Sequence, residues 1–332
     1  MKKILIVTAL SLEFQAVESY LTEITSDTHP LTGSKYKLGS YKAPNQSLHV
    51  MVVEAGAGNN RSADETGRAI QHFKPDYTFF VGVAGGIKDV IIGDVVASSK
   101  IIGFEVGKAA DDFKPRLDMM SASYTLEQLA KDVKREGNWV EKIKIKSHRG
   151  TPKSFVQPIA AGEKVVVSNK SETYKTISTY CSDAIAVDME GIGFLIAARP
   201  YNVEAIEIRG ISDMLEKKEE ADASGSQPDA AANAAAFTFE MIDNLQIGYD
   251  LKDITFQNKL LDFVNEHYPQ GPEQDEIWTR AGGDISILVN SVNRKSQWRS
   301  AIQRLVNGGG GKTITLYSLL NSIKEDYPND NL

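Results

Sequence analysis

From Lys3 to Leu245 short β-branched runs alternate with stretches whose apolar residues recur at helical spacing. That alternation is the mark of an α/β fold, and it confines the chain to a sheet covered by helices. Strands are predicted at residues 3–8, 48–54, 77–83, 94–104, 164–168, 184–188 and 204–209, several of them apolar on both faces as covered central strands must be. Helices are predicted between most of them, at 12–21, 61–73, 126–135, 171–180, 191–198 and the Ala-rich 230–245. Sheets of this kind receive ligands beyond the carboxyl ends of their strands. The residues just past each strand are therefore the ones to read for chemistry.

Two stretches read as long loops, 107–122 and 214–228, the second with the run Lys217-Lys218-Glu219-Glu220 and Ser224-Gly225-Ser226. Loops of that length are commonly lids or disordered, and the charge run has the plain reading of a solvated surface. The pattern changes after Tyr249. Apolar residues at helical spacing follow (Phe256, Leu260, Phe263, Val264), without a convincing strand, and turn signals fall at Tyr268-Pro269, Gly282-Gly283 and Gly308 to Gly311. The expected organisation is an α/β domain at 1–248, a linker at 249–254 and a small all-α domain at 255–332.

Charge and cysteine usage narrow the function classes. With 37 basic against 44 acidic side chains and a net charge of −7, the chain lacks the electrostatic footprint of a duplex-binding protein. A single cysteine and five histidines form no metal-ligand spacing, so no metal and no cofactor are expected. The apolar run after Met1-Lys2-Lys3 is too short for a secretory segment, and no 18-residue apolar run occurs, which makes the cytoplasm the expected location.

Gly308-Gly309-Gly310-Gly311-Lys312-Thr313 looks like the end of a P-loop, but Val306 stands where the first glycine belongs and a helical segment precedes it. A flexible helix–helix connection is expected there instead. The stronger signal is three acids, each just past a strand: Glu13, Glu190 in Asp188-Met189-Glu190-Gly191, and Asp213 in Arg209-Gly210-Ile211-Ser212-Asp213. Singly, each has the plainer reading of a surface residue or helix cap. Together with the glycine-rich strand end Gly82-Val83-Ala84-Gly85-Gly86, then Gly93-Asp94-Val95-Val96 and Ala161-Gly162-Glu163-Lys164-Val165-Val166, they make an ordered pattern.

That pattern resembles the nucleoside phosphorylase superfamily, and within it the methylthioadenosine/S-adenosylhomocysteine nucleosidase branch, over roughly residues 1–245. The resemblance implies a three-layer α/β/α sandwich around a mixed twisted sheet, at least a homodimer, and a purine N-glycosidase. Cleaving a purine N-glycosidic bond passes through an oxocarbenium-like sugar, which calls for an acid at the base, an anion near the ribose and a nucleophile at the anomeric carbon. By resemblance, Asp213 protonates or hydrogen-bonds the purine N7, with Ser212 beside it in the substrate site. Glu190 accepts from the ribose 2′- and 3′-hydroxyls, and Glu13 holds and deprotonates the attacking water. Ala84 and Gly85 line the base, Val165 and Val166 cover its face or bind its edge, and Met189 packs under the sugar.

Purine phosphorylases of this superfamily place an arginine two residues before the glycine matching Gly82 and a serine just after it. Here those positions hold Phe80 and Val83, an apolar pair that cannot carry a phosphate dianion. Water is the expected nucleophile, with a phosphorylase or a silent nucleotide sensor as the alternatives. The nucleosidases' stacking aromatic is replaced by Val165, and their glutamate before Met189 by Asp188. Lys108, Arg116 and Lys164 are candidate contacts for a 5′-phosphate, with solvated surface charge as their plain reading. Residues 255–332, with Asp275-Glu276-Ile277-Trp278-Thr279-Arg280, Trp298 and Tyr327-Pro328-Asn329-Asp330, look like the first class of bacterial effector-associated domains. That likeness implies an adaptor that pairs with a like domain on another protein, and an adenine-releasing effector in antiphage defence.

Overall fold

The structure is a computed structural model describing residues 3–44, 46–108, 113–145, 150–166, 168, 170–215, 225–245, 254–288 and 293–328. The chain divides into two compact units, Met1–Leu245 and Gln246–Leu332. In the first, β12 (Glu204–Met214), β5 (Tyr77–Gly86), β1 (Lys3–Thr8) and β4 (Gln46–Glu54) lie side by side and parallel. Ile4, Leu5, Ile6 and Val7 have no exposed surface, the two-faced burial that the apolar run in β1 predicts.

From this centre the sheet extends both ways. On one side β4 pairs antiparallel with β3 (Lys35–Ala43), and β3 with β2 (Thr22–Thr28). On the other, β12 meets β6 (Val95–Gly103) antiparallel, β6 meets β10 (Ser154–Ala161), and β10 meets β11 (Ala186–Asp188). β11 then returns antiparallel to β5 at Val187↔Gly85 and Ala186↔Gly86, so this half of the sheet closes on itself. The closure brings the residues after β11 against the glycine-rich end of β5. Helices α1 (Ser11–Glu18), α3 (Tyr124–Glu136) and α6 (Ser226–Asp243) pack together, while α2 (Asn59–Phe73) packs on α5 (Gly191–Ala198), giving the layered α/β/α architecture. α4 (Glu172–Tyr180) precedes β11. Small side chains along α6 let its backbone lie against β12: a Cβ on Gly210 would stand 2.0 Å from the Ala230 carbonyl oxygen.

Several sequence expectations change. Residues 164–166 and 168 belong to no strand, and residue 167 lies outside the described residues. The strand of this region is β10, which contains Pro158. Proline cannot donate to a ladder, and β10 slips register against β6 between Gln157 and Ile159, where the proline sits. The edge strand β2 is polar and almost wholly exposed, and its neighbour β3 is buried on alternate residues only in part, so no apolar run announces them. Within 107–122 the described residues include a small ribbon, β7 (Gly107–Lys108) with β8 (Lys114–Pro115), and β9 (Asp118–Ser121) on β6. Residues 216–224, with the charge run, and 249–253 of the expected linker lie outside the described residues.

The second unit is helical throughout its described residues: α7 (Ile254–His267), α8 (Ile277–Arg280), α9 (Arg294–Val306) and α10 (Leu316–Asp326), with short 3-10 turns. Trp278 and Trp298 are fully buried among Leu260, Val264, Ile302 and Leu319. Each indole N–H finds a carbonyl, Gly310 at 3.1 Å and Tyr268 at 3.0 Å, as buried tryptophans require. The glycine run is thus no loose hinge. The Gly310 carbonyl also accepts from Asp284 N–H at 2.8 Å, and its φ of +119° is one that only glycine adopts freely.

Candidate active site

Glu13 stands in the first turn of α1, immediately after β1, and is 1 % exposed. Its Oε2 accepts from the N–H groups of Ala9 (2.8 Å) and Leu10 (2.9 Å), so it does cap its helix. Its Oε1 reaches across to accept from Val83 N–H in β5 at 2.8 Å. The cap and the site are the same side chain. A Cβ on Gly82 would stand 2.3 Å from Arg209 Nη1 and 2.5 Å from Glu13 Oε1, so the glycine of this motif is the space that these two groups occupy.

Glu190 is the residue before α5. Its Oε1 accepts from Gly58 N–H (2.9 Å) and its Oε2 from Arg209 Nη2 (3.1 Å). Asp188, at the end of β11, uses Oδ2 to accept from the N–H groups of Glu190 (3.1 Å) and Gly191 (2.7 Å) and from Arg209 Nη2 (2.6 Å). Burial raises the Glu13 carboxyl above its ordinary value, against the pull of Arg209 and of its three backbone donors. Burial likewise raises Glu190, with Arg209 opposing and Asp188 adding to the shift.

Asp213 owes its position to an irregularity. β12 pairs with β5 at Ile211↔Ala84 and then at Asp213↔Gly85, leaving Ser212 as the extra residue of a bulge. Bulges re-aim the side chains that follow them. Ser212 Oγ donates to Asp213 Oδ2 at 2.8 Å, while Asp213 Oδ1 is buried without a hydrogen-bond partner among the described residues.

Glu13, Glu190, Asp213, Met189, Ala84, Gly85, Ser212, Val165, Val166 and Lys164 all line one cavity of about 230 Å³ at the carboxyl ends of the strands. Lys108 and Arg116 are exposed and do not line it. Lys164, with its side chain 70 % exposed, is paired with Glu105 at 3.2 Å. Val165 is half exposed, whereas Val166 is buried. Leu10, Ala57, Leu215 and Gln227, none of them singled out in the sequence, also line it, as do Ala9, Val83, Val187 and Asp188.

The group that joins Glu13, Asp188 and Glu190 is Arg209, to which the sequence assigns no role of its own. It is fully buried, and four carboxyls face it: Asp188 (2.6 Å), Glu207 (2.7 Å), Glu190 (3.1 Å) and Glu13 (3.9 Å). Its guanidinium lies 4.5 Å over the ring of Phe80. Burial by itself would lower the basicity of Arg209; the surrounding carboxyls more than reverse that and hold it above an ordinary arginine. The signal was available, because Glu207 and Arg209 are two charged residues on one face of a strand expected to be covered on both.

Known proteins share this framework. Methylthioadenosine/S-adenosylhomocysteine nucleosidase of Maridesulfovibrio salexigens is 27 % identical over 201 residues, 60 % of this chain and 83 % of that protein. A Death domain-containing ATP nucleosidase of Amphimedon queenslandica is 26 % identical over 213 residues, again 60 % of this chain but only 39 % of that protein. Among solved structures, the methylthioadenosine/S-adenosylhomocysteine nucleosidase of Helicobacter pylori with butyl-thio-DADMe-Immucillin-A superimposes with a TM-score of 0.61 at 24 % identity. It covers 74 % of this chain and 99 % of its own, and it shares the fold. The nucleosidase of Colwellia psychrerythraea in complex with adenine gives 0.61 at 22 % identity, covering 74 % of this chain and 96 % of its own. The family model for the Phosphorylase superfamily matches residues 3–244, a span that holds every carboxyl described above, and the chain belongs to that superfamily.

Proposed function

We propose that the cavity is the active site of a purine nucleosidase, which hydrolyses the N-glycosidic bond of an adenine nucleoside or nucleotide and releases adenine. The observation that carries this reading is that Glu13, Glu190 and Asp213 line one cavity, with Asp213 Oδ1 buried and unpartnered among the described residues. A buried polar atom without a partner is expensive, and a purine N7 would satisfy it. Asp213 gives its proton to N7 as the C–N bond breaks. Glu190 accepts from the ribose hydroxyls, and Glu13 takes a proton from the water whose oxygen bonds to the anomeric carbon. Burial that raises Glu13 makes it a stronger base than a solvated glutamate.

Phosphorolysis is the second reading, and Phe80 speaks against it. Its ring is buried beneath Arg209, whose charge is already engaged by four carboxyls, so that cation is not open to a phosphate dianion. The relative named an ATP nucleosidase supports a nucleotide as substrate; the relatives named for thioether nucleosides support the smaller ligands. Incubation with ATP, AMP, adenosine, methylthioadenosine and S-adenosylhomocysteine, with products identified by mass, separates these. We expect adenine with the ribose or ribose phosphate left intact, in the absence of phosphate. Release from the thioether nucleosides alone would remove the nucleotide reading, phosphate-dependent turnover would make the enzyme a phosphorylase, and binding without release would make it a sensor.

The helical unit is read as an adaptor recruiting this activity in antiphage defence, on the support of its own buried core and its sequence likeness. Truncation after Leu245 is expected to leave adenine release unchanged and to abolish co-purification with a protein bearing a like domain. Loss of release in the truncated chain would contradict that division of labour.

A further inference from the structure

Glu207 has no part in the reaction described above, yet it is fully buried beneath the site. It lies in β12 two residues before Arg209, and its Oε1 accepts from Arg209 Nε at 2.7 Å and is ion-paired with Nη2 at 2.7 Å. Arg209 Nη2 is at the same time within 2.6 Å of Asp188 and 3.1 Å of Glu190. A terminal guanidinium nitrogen carries two hydrogens, and here three carboxyls converge on it. The Asp188 and Glu207 carboxyls meet at that nitrogen, one oxygen of each within 2.7 Å of it. Each keeps one buried oxygen without a hydrogen-bond partner among the described residues, Asp188 Oδ1 and Glu207 Oε2. Two unprotonated carboxylates would leave both oxygens unsatisfied and place two like charges in contact away from water. One proton between them removes both problems.

We propose that Glu207 is a positioning residue of this site: its carboxyl holds a proton shared with Asp188, so that Arg209 is gripped by an acid–carboxylate pair and stays aimed at Glu13 and Glu190. Space has been kept for the pair. A Cβ on Gly191 would stand 2.4 Å from Glu207 Oε2, so this glycine at the start of α5 admits the carboxyl. The other charged groups facing the pair are Glu190 from just before α5, Arg209 on the same strand and, through Arg209, Glu13 from α1. From β6, Ser98 Oγ accepts from the Glu207 N–H at 3.1 Å, a contact that adds no charge. Burial pushes Glu207 well above the ordinary carboxylate range, with Arg209 opposing and Asp188 reinforcing. The folded protein therefore favours the acid form. Its contribution is complete at low pH and is lost as pH rises through the ionisation of the pair.

The kinetic part of the test rests on the nucleosidase reading; the spectroscopic part does not, so the failure of one is distinguishable from the failure of the other. In full-length protein at neutral pH, infrared difference spectra should show a protonated carboxyl band that disappears in Glu207→Gln. In Glu207→Gln the amide oxygen can still accept from Arg209 and its NH₂ can still donate to Asp188, so kcat for adenine release should stay within about threefold of the parent. Glu207→Leu supplies neither bond and should lose about tenfold or more in kcat with KM little changed, as expected when a catalytic group is misplaced. The parent's kcat should fall at alkaline pH, and that limb should be absent in Glu207→Gln. The proposal is overturned if Glu207→Gln loses no protonated carboxyl band, if it is as slow as Glu207→Leu, or if its alkaline limb persists.

Discussion

Asp213→Asn is expected to slow adenine release by about a hundredfold to ten-thousandfold, the usual scale for removing a positioned general acid. The substitution is nearly isosteric at a 3 %-exposed position, and an amide can still accept from Ser212 Oγ. Binding should therefore survive while kcat falls. Calorimetric titration with adenosine, beside single-turnover measurement of base release, separates the two quantities. A parallel loss of affinity with an unchanged chemical step would reduce Asp213 to a binding group. Glu13→Gln should behave similarly for the nucleophile, because its three backbone donors keep one oxygen acceptor but leave an unmatched NH₂ group among them.

Arg209→Leu is expected to cost about 3–5 kcal/mol of stability near neutral pH, the scale for removing one partner from a buried ionic group. The loss comes from what remains behind. Glu13, Asp188, Glu190 and Glu207 would be left buried around an apolar side chain with their countercharge gone. Their protonation then becomes the easiest relief, so the deficit should shrink as pH is lowered from 7 towards 5. Urea denaturation of parent and variant across that range measures it. A deficit below about 1 kcal/mol, or one indifferent to pH, would show that the carboxyls do not depend on Arg209.

The elements that were legible and those that were not differ for physical reasons. β1, β5 and α5 announce themselves because both faces of the strands and five of the eight residues of α5 are buried, which favours apolar residues. β2 forms the sheet edge and β3 lies next to it, where exposed positions permit Thr, Ser, Lys and Asp. Residues 164–166 carry the β-branched composition of a strand yet border the cavity, a local preference overridden by tertiary context. Lys108 and Arg116 followed from residue type alone, and charge on an exposed side chain says nothing about which cavity it serves.

The order of residues by itself determined the α/β class, the helical character of the tail and the three acids past their strands, because burial demands apolar runs and open sheets bind at strand ends. Only the folded chain decided that two of these acids, Glu13 and Glu190, share one arginine with Asp188 and Glu207. Val187↔Gly85 closure, the Ser212 bulge and the space above Gly82 bring together groups up to 200 positions apart, from Glu13 to Asp213. Whether a buried charge is neutralised depends on distances of a few ångströms in three dimensions, and these depend on the closure of the sheet.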